Sequence, residues 1–119
     1  MVVKKPKISN MEGYGELKIV SFNCCGVENK LPIINALCEN NHIVLLQETW
    51  LLPHNLDILN NAHEDFDAYS VSAVDLSEGL IGRPYGGLSI MWRKNLSKFF
   101  DIVNFDDVRI LGFDFKHGD

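Results

Sequence analysis

The chain has 119 residues, 46% hydrophobic and 23% charged, the composition of an ordinary globular protein with space for one domain. No apolar run approaches the roughly 20 residues a membrane helix needs, so neither a spanning segment nor a membrane partner is expected. A net charge of −5 runs against a dedicated nucleic-acid-binding face built from Lys and Arg, although bound cations can supply positive charge where a phosphate sits.

Residues 1–16 show no periodicity, contain Asn10, Gly13 and Gly15, and read as a flexible N-terminal tail. Lys4, Lys5 and Lys7 make the start basic, with no apolar stretch behind them such as a signal peptide carries. Such a cluster serves as a solvated tail or as a nuclear address. Leu17 to Phe22 is a β-rich run that closes at Asn23, with Gly26 beyond it as a breaker. Cys24, Cys25 and Cys38 are an odd set without a secretory signal, which points to a reducing, intracellular compartment and against a disulfide framework. Strand alternation sends Cys24 and Cys25 to opposite sides, so they read as small buried hydrophobes and not as a joint zinc site.

Leu31, Ile34, Leu37 and Cys38 share one helical face, with Asn29 as the expected cap, Pro32 in the first turn and Asn40-Asn41 at the end. Ile43 to Leu46 is continuously apolar, as in a strand buried on both faces, and ends in Gln47-Glu48. Strand, amphipathic helix and buried strand in this order make a βαβ unit with two parallel strands. A second helix is expected from Pro53, with Leu56, Leu59, His63 and Phe66 on one face. The period then changes to two: Tyr69, Val71 and Ala73 form one half-buried strand, and Leu88, Ile90 and Trp92 another. A glycine-rich loop with Gly79, Gly82, Pro84, Gly86 and Gly87 lies between them. Phe100 to Phe105 and Val108 to Phe115 flank Asp106-Asp107 as a hairpin.

Parallel neighbours end at the same edge of a sheet, where open α/β sheets bind ligands. Asn23 ends the first strand and Glu48 the second, so a carboxamide and a carboxylate meet at that edge. Magnesium takes hard oxygen ligands, typically one or two carboxylates with waters and phosphate. Glu48 suits a metal ligand, and Asn23 suits a group that orients a carboxylate, a phosphate oxygen or a water. The competing reading is that both merely solvate the strand ends.

Three stretches in order carry a resemblance: Leu17 to Asn23 (LKIVSFN) with Gly26, Leu45 to Leu51 (LLQETWL), and Gly86 to Lys94 (GGLSIMWRK). Together they resemble the N-terminal half of the endonuclease/exonuclease/phosphatase family, and look closest to the endonuclease domains of non-LTR (LINE-type) retrotransposons. The resemblance implies an α/β (α+β) fold in which residues 17–119 form a truncated domain: the N-terminal half of a four-layer α/β/β/α sandwich. That half is one mixed sheet with two helices on one face. Its other face is expected to be apolar, through residues among Ile19, Leu45, Ile90 and Phe113, and open to self-association.

The resemblance also implies hydrolysis of phosphodiesters, of DNA in the intact family, with Mg²⁺ or Mn²⁺ as cofactor and nucleic acid as partner. Asn23 matches the family's catalytic asparagine and Glu48 its metal-binding glutamate. Gln47 and Trp50 match positions that shape the substrate side. Several family features are missing up to residue 119: the strand-end tyrosine, the GD-x-N stretch, the further aspartate and the terminal SDH. His42, His54, His63 and His117 match no catalytic histidine. Tyr85 precedes the family's tyrosine position and reads as a loop packing residue, or as a substrate contact beside Arg83. The expectation is therefore a fragment of a Mg²⁺-dependent endonuclease-type phosphodiesterase, inactive as this chain and binding metal weakly. The alternatives are a non-catalytic interaction protein that retains the half-fold, or a relative of phosphatase or lipid-phosphodiesterase type.

Overall fold

The computed structural model describes residues 16–74 and 85–116. The expected tail, apart from Glu16, lies outside them, as do Gly79, Gly82, Arg83 and Pro84 of the glycine-rich loop and His117 to Asp119. The described elements run β1 (Ile19–Asn23), α1 (Leu31–Asn40), β2 (Ile43–Gln47), a first 3₁₀ helix (Pro53–Asn61), β3 (Phe66–Val71) and β4 (Leu88–Arg93). A second 3₁₀ helix (Lys94–Phe99), β5 (Phe100–Asn104) and β6 (Leu111–Phe115) follow.

The main sheet is mixed, in the order β1-β2-β4-β3. β1 and β2 are parallel, from Ile19 opposite Ile43 to Asn23 opposite Gln47, as a βαβ unit requires. β4 runs antiparallel to both β2 and β3. β2 therefore has a neighbour on each edge and side chains buried on each face, which accounts for its unbroken apolar run.

Val44 and Leu46 of β2, with Val20, Phe22, Ala68 and Met91, point to the face covered by α1 and the first 3₁₀ helix. α1 contributes Ile34 and Cys38, and the 3₁₀ helix contributes Leu59. The helix caps differ from expectation: Lys30, not Asn29, is the N-cap of α1, without a side-chain cap bond. The second helix is also corrected in type. Asn55 leaves helical geometry at φ −127°, and its Oδ1 accepts the Leu52 N–H at 2.7 Å, so the segment winds as 3₁₀ turns about a kink. Phe66 belongs to β3, because it pairs with Arg93. Leu59, His63 and Phe66 are all buried nonetheless, so the apolar face was placed correctly while its element was not. His63 ties this region to α1, with Nε2 2.9 Å from Glu39 Oε1 and Nδ1 accepting the Asp65 N–H.

On the other face, Ile43, Leu45 and Ile90 are packed with Leu96, Phe100 and Leu111. This corrects the expectation of one sheet with a bare face. β5 and β6 pair as an antiparallel hairpin and form a second sheet of their own that lies against the first. Phe100 is stacked between Trp92 (4.6 Å between ring centroids) and Phe113 (4.8 Å). Leu45 and Ile90, named above as residues of an association surface, are 0% and 1% exposed within the single chain. The hairpin strands are shorter than expected, since residues 105–110 connect them and Val108 lies in the turn. Among the described residues no helix is long and apolar enough to cross a membrane.

His42, just before β2, closes the sheet at its amino end. Its N–H donates to Lys18 O and its Nδ1 accepts the Lys18 N–H, both at 2.8 Å, while its carbonyl accepts the Arg93 N–H at 3.0 Å. The side chain is buried, and that burial, followed by the nearby Arg93 and Lys18 charges, holds its pKa below the ordinary histidine value. The unfolded chain then binds the extra proton more readily than the folded one. Stability from His42 is present above the unfolded value near 6.5 and is lost as pH falls from there through the lowered folded value. The urea midpoint is expected to fall between pH 7.5 and pH 5.5. His42→Asn, whose Oδ1 can take over the acceptor role of Nδ1, should show a smaller fall. An equal fall in both proteins would exclude His42 as its source.

Candidate functional site

The carboxyl ends of β1 and β2 keep pairing after their strand geometry ends. Cys24 N–H donates to Gln47 O at 2.8 Å, Gly26 N–H to Glu48 O at 2.9 Å, and Val27 N–H to Thr49 O at 3.1 Å. From the other side, Thr49 N–H donates to Gly87 O at 3.3 Å and Trp50 N–H to Gly86 O at 2.9 Å. Residues 48–50 are thus stitched between two backbones, the segment after β1 and the segment that leads into β4.

This stitching holds Glu48 and Trp50 in left-handed backbone, at φ 52° and 59°. A non-glycine residue there gives up about 1 kcal/mol or more, so each conformation depends on the bonds around it. Gly26 and Gly87 make the close approach possible. A Cβ on Gly26 would stand 2.8 Å from Trp50 Cε3, and one on Gly87 would collide with Thr49 Oγ1.

Asn23 and Glu48 are brought to the same edge, as the βαβ reading requires. Asn23 is exposed, and its Oδ1 accepts the Cys25 N–H at 3.2 Å, with the Cys25 thiol at 3.4 Å. Glu48 is half-buried, and its Oε1 accepts the Trp50 indole N–H at 3.3 Å. Gln47 turns to Ser21, in reciprocal side-chain bonds of 2.8 and 3.1 Å. The Trp50 ring lies against Gly26 and meets Tyr85 edge-on, 5.4 Å between centroids and 87° between planes. Tyr85 itself is 61% exposed.

The sequence reading missed Cys25, and its expectation of a buried thiol is corrected. Cys25 turns out to solvent in left-handed backbone at φ 48°, whereas Cys24 and Cys38 are buried. Burial pushes the Cys24 thiol up to about 11 and the Cys38 thiol up to about 12, so both stay protonated and inert. No pattern of residue types foretells the left-handed turn that exposes Cys25. Thr49 was missed as well. It is 1% exposed, and its hydroxyl has no hydrogen-bond partner among the described residues.

For metal chemistry the edge offers the Glu48 carboxylate as a hard oxygen donor, while the Asn23 oxygen is engaged by Cys25. Among the described residues no group of three or more His, Cys, Asp or Glu side chains comes together in a metal-holding arrangement. The donor set fits a hydrated Mg²⁺ or Mn²⁺ held by one carboxylate, not a closed protein cage. No protein-family model, curated protein or solved structure matches the chain.

Gly87 is the position where the site's backbone tolerates least. Gly87→Ala adds a methyl against a buried Thr49 hydroxyl in backbone at φ 98°, and should destabilise the chain by about 2 kcal/mol or more. Gly112→Ala is the control. Its new Cβ would meet Phe105 at 3.1 Å, and Phe105 is exposed and free to give, so a change below about 1 kcal/mol is expected. Urea denaturation of the two variants measures the difference, and equal effects would remove the argument for the stitched edge.

Proposed function

We propose that this chain carries the metal-binding corner of a Mg²⁺-dependent phosphodiesterase of endonuclease/exonuclease/phosphatase type, with Glu48 as metal ligand and Asn23 as the group that orients phosphate or water. The observation that carries the reading is the parallel register of β1 and β2. It sets Asn23 opposite Gln47 and so delivers a carboxamide and the Glu48 carboxylate to one sheet edge. The ordered LKIVSFN, LLQETWL and GGLSIMWRK stretches support the same assignment.

When bound, the cation neutralises charge that builds on a phosphate oxygen. The chain's own contribution is to orient. Asn23 Oδ1 is engaged by the Cys25 N–H, which leaves the carboxamide N–H₂ as the donor toward a phosphate or water oxygen. Glu48 is held by the indole of Trp50 at one carboxylate oxygen. Hydrolysis further needs a group that activates water, typically worth about 10²–10⁴-fold. The aspartate–histidine pair that does this in the family has no counterpart in residues 1–119. On this reading Tyr85, beside Trp50, is a contact on the substrate side, and a nucleic acid or another phosphodiester is the substrate.

Two measurements test the proposal. In an NMR titration with Mg²⁺, amide shifts should centre on Asn23 and Glu48, with affinity about millimolar or weaker, as one carboxylate implies. Glu48→Gln should abolish them, and shifts that survive the substitution would place the metal elsewhere. In cleavage assays on supercoiled plasmid, abasic DNA and a chromogenic phosphodiester with Mg²⁺ or Mn²⁺, the 119-residue chain should be silent. Cleavage by the natural chain that is lost in Glu48→Ala would mean that a second chain completes the site.

A further inference from the structure

Trp50 and Glu48 share an unusual arrangement. Both stand in left-handed backbone, with Thr49 between them, and the indole N–H of Trp50 donates to the carboxylate of Glu48. The indole is a donor only, with a single N–H, so it has one direction in which to bond. That direction is set by packing, since the ring lies close against Gly26 and meets Tyr85 edge-on. A carboxylate has about four acceptor sites on its two oxygens, and the indole takes one, on Oε1.

We infer that Trp50 is a positioning residue for Glu48, its indole N–H fixing the carboxylate so that the remaining acceptor sites face a divalent cation. The inference rests on the reading of Glu48 as metal ligand. It assigns Trp50 a role different from direct contact with substrate: the ring is the wall that orients a ligand, and the Gly26 surface is what orients the ring. Partners of this kind commonly change metal affinity by about 10- to 100-fold when removed. The bond here is 3.3 Å long and half-exposed, so the lower end of that range applies.

The test uses the full 119-residue chain, isotope-labelled, with Mn²⁺ as the probe through its broadening of nearby amide signals. Trp50→Phe keeps an aromatic ring against Gly26 and Tyr85 and removes the N–H. Its amide spectrum should match the natural one outside residues 23–27, 47–50 and 85–87. It should need about tenfold more Mn²⁺ for equal broadening at Asn23 and Glu48. Without metal, relaxation of the Glu48 Cγ methylene should report a more mobile side chain. A natural Mn²⁺ response would leave Trp50 as packing alone and overturn the inference, whatever the Cγ relaxation.

Should Trp50→Phe not fold, the natural Trp50 and Glu48→Ala decide the question. Loss of the acceptor should move the indole N–H resonance upfield and speed its exchange with water, and an unmoved resonance overturns the inference. Glu48→Gln separates the two levels. Broadening that persists in it sinks the metal assignment and the inference together. Broadening lost in it but natural in Trp50→Phe sinks the inference alone.

Discussion

The site depends on the hydrogen bonding of residues 48–50, which goes on after β2 has ended. Gly26 and Val27 donate to it from one side, and Gly86 and Gly87 accept from it on the other. Two non-glycine residues are held in left-handed backbone by these bonds, and the orientation of the Glu48 side chain follows from where that backbone points. The strain is local, and the four flanking backbone partners sustain it.

The rest of the fold supplies the frame for those partners. β2 is central to the main sheet and buried on both faces, by α1 and a 3₁₀ helix on one and by the β5–β6 hairpin on the other. A strand so enclosed cannot shift register by one residue without turning Val44 and Leu46 into the environment of Ile43 and Leu45, and the two clusters are built from different residues. The register that sets Asn23 opposite Gln47 is therefore protected by packing several residues away from the site. The aromatic stack of Trp92, Phe100 and Phe113 fastens the second sheet to the first and closes a face that would otherwise stay apolar and open.

Much of this was legible in the residues. The apolar run of β2, the helical spacing of Leu31 to Cys38 and the alternation through Leu88, Ile90 and Trp92 named their elements correctly. The βαβ order brought Asn23 and Glu48 to one edge. What was not legible has physical causes. Phe66 fits a helical face and a strand equally, and its pairing with Arg93 decided the matter only in three dimensions. The 3₁₀ winding after Pro53 turns on one Asn55 side-chain bond. The hairpin was visible in sequence, but its seat on Leu45 and Ile90 was not, because packing between sheets leaves no short-range pattern. Nor does residue type encode left-handed backbone at Glu48, Trp50 or Cys25, where the neighbours impose it.

Arg93 ties the end of the first helix to the sheet. A helix ends with carbonyls that lack partners, and a cation near them is favourable. α1 has no basic residue in its last turn. Arg93, at the end of β4, supplies one from 55 residues along the chain. Its Nη2 reaches Cys38 O at 3.0 Å and Glu39 O at 3.2 Å, and its Nε reaches Asn41 O at 3.1 Å. The βαβ unit is local in sequence, and closing it costs little loop entropy. Asn40 and Asn41 serve Ala36 O and Leu37 O locally, each through an Nδ2 bond of 2.9 Å, and Arg93 brings the later carbonyls a partner from the sheet. One side chain thus joins the end of the first helix to the strand beside β2, so the helix terminus and the sheet are held by the same residue.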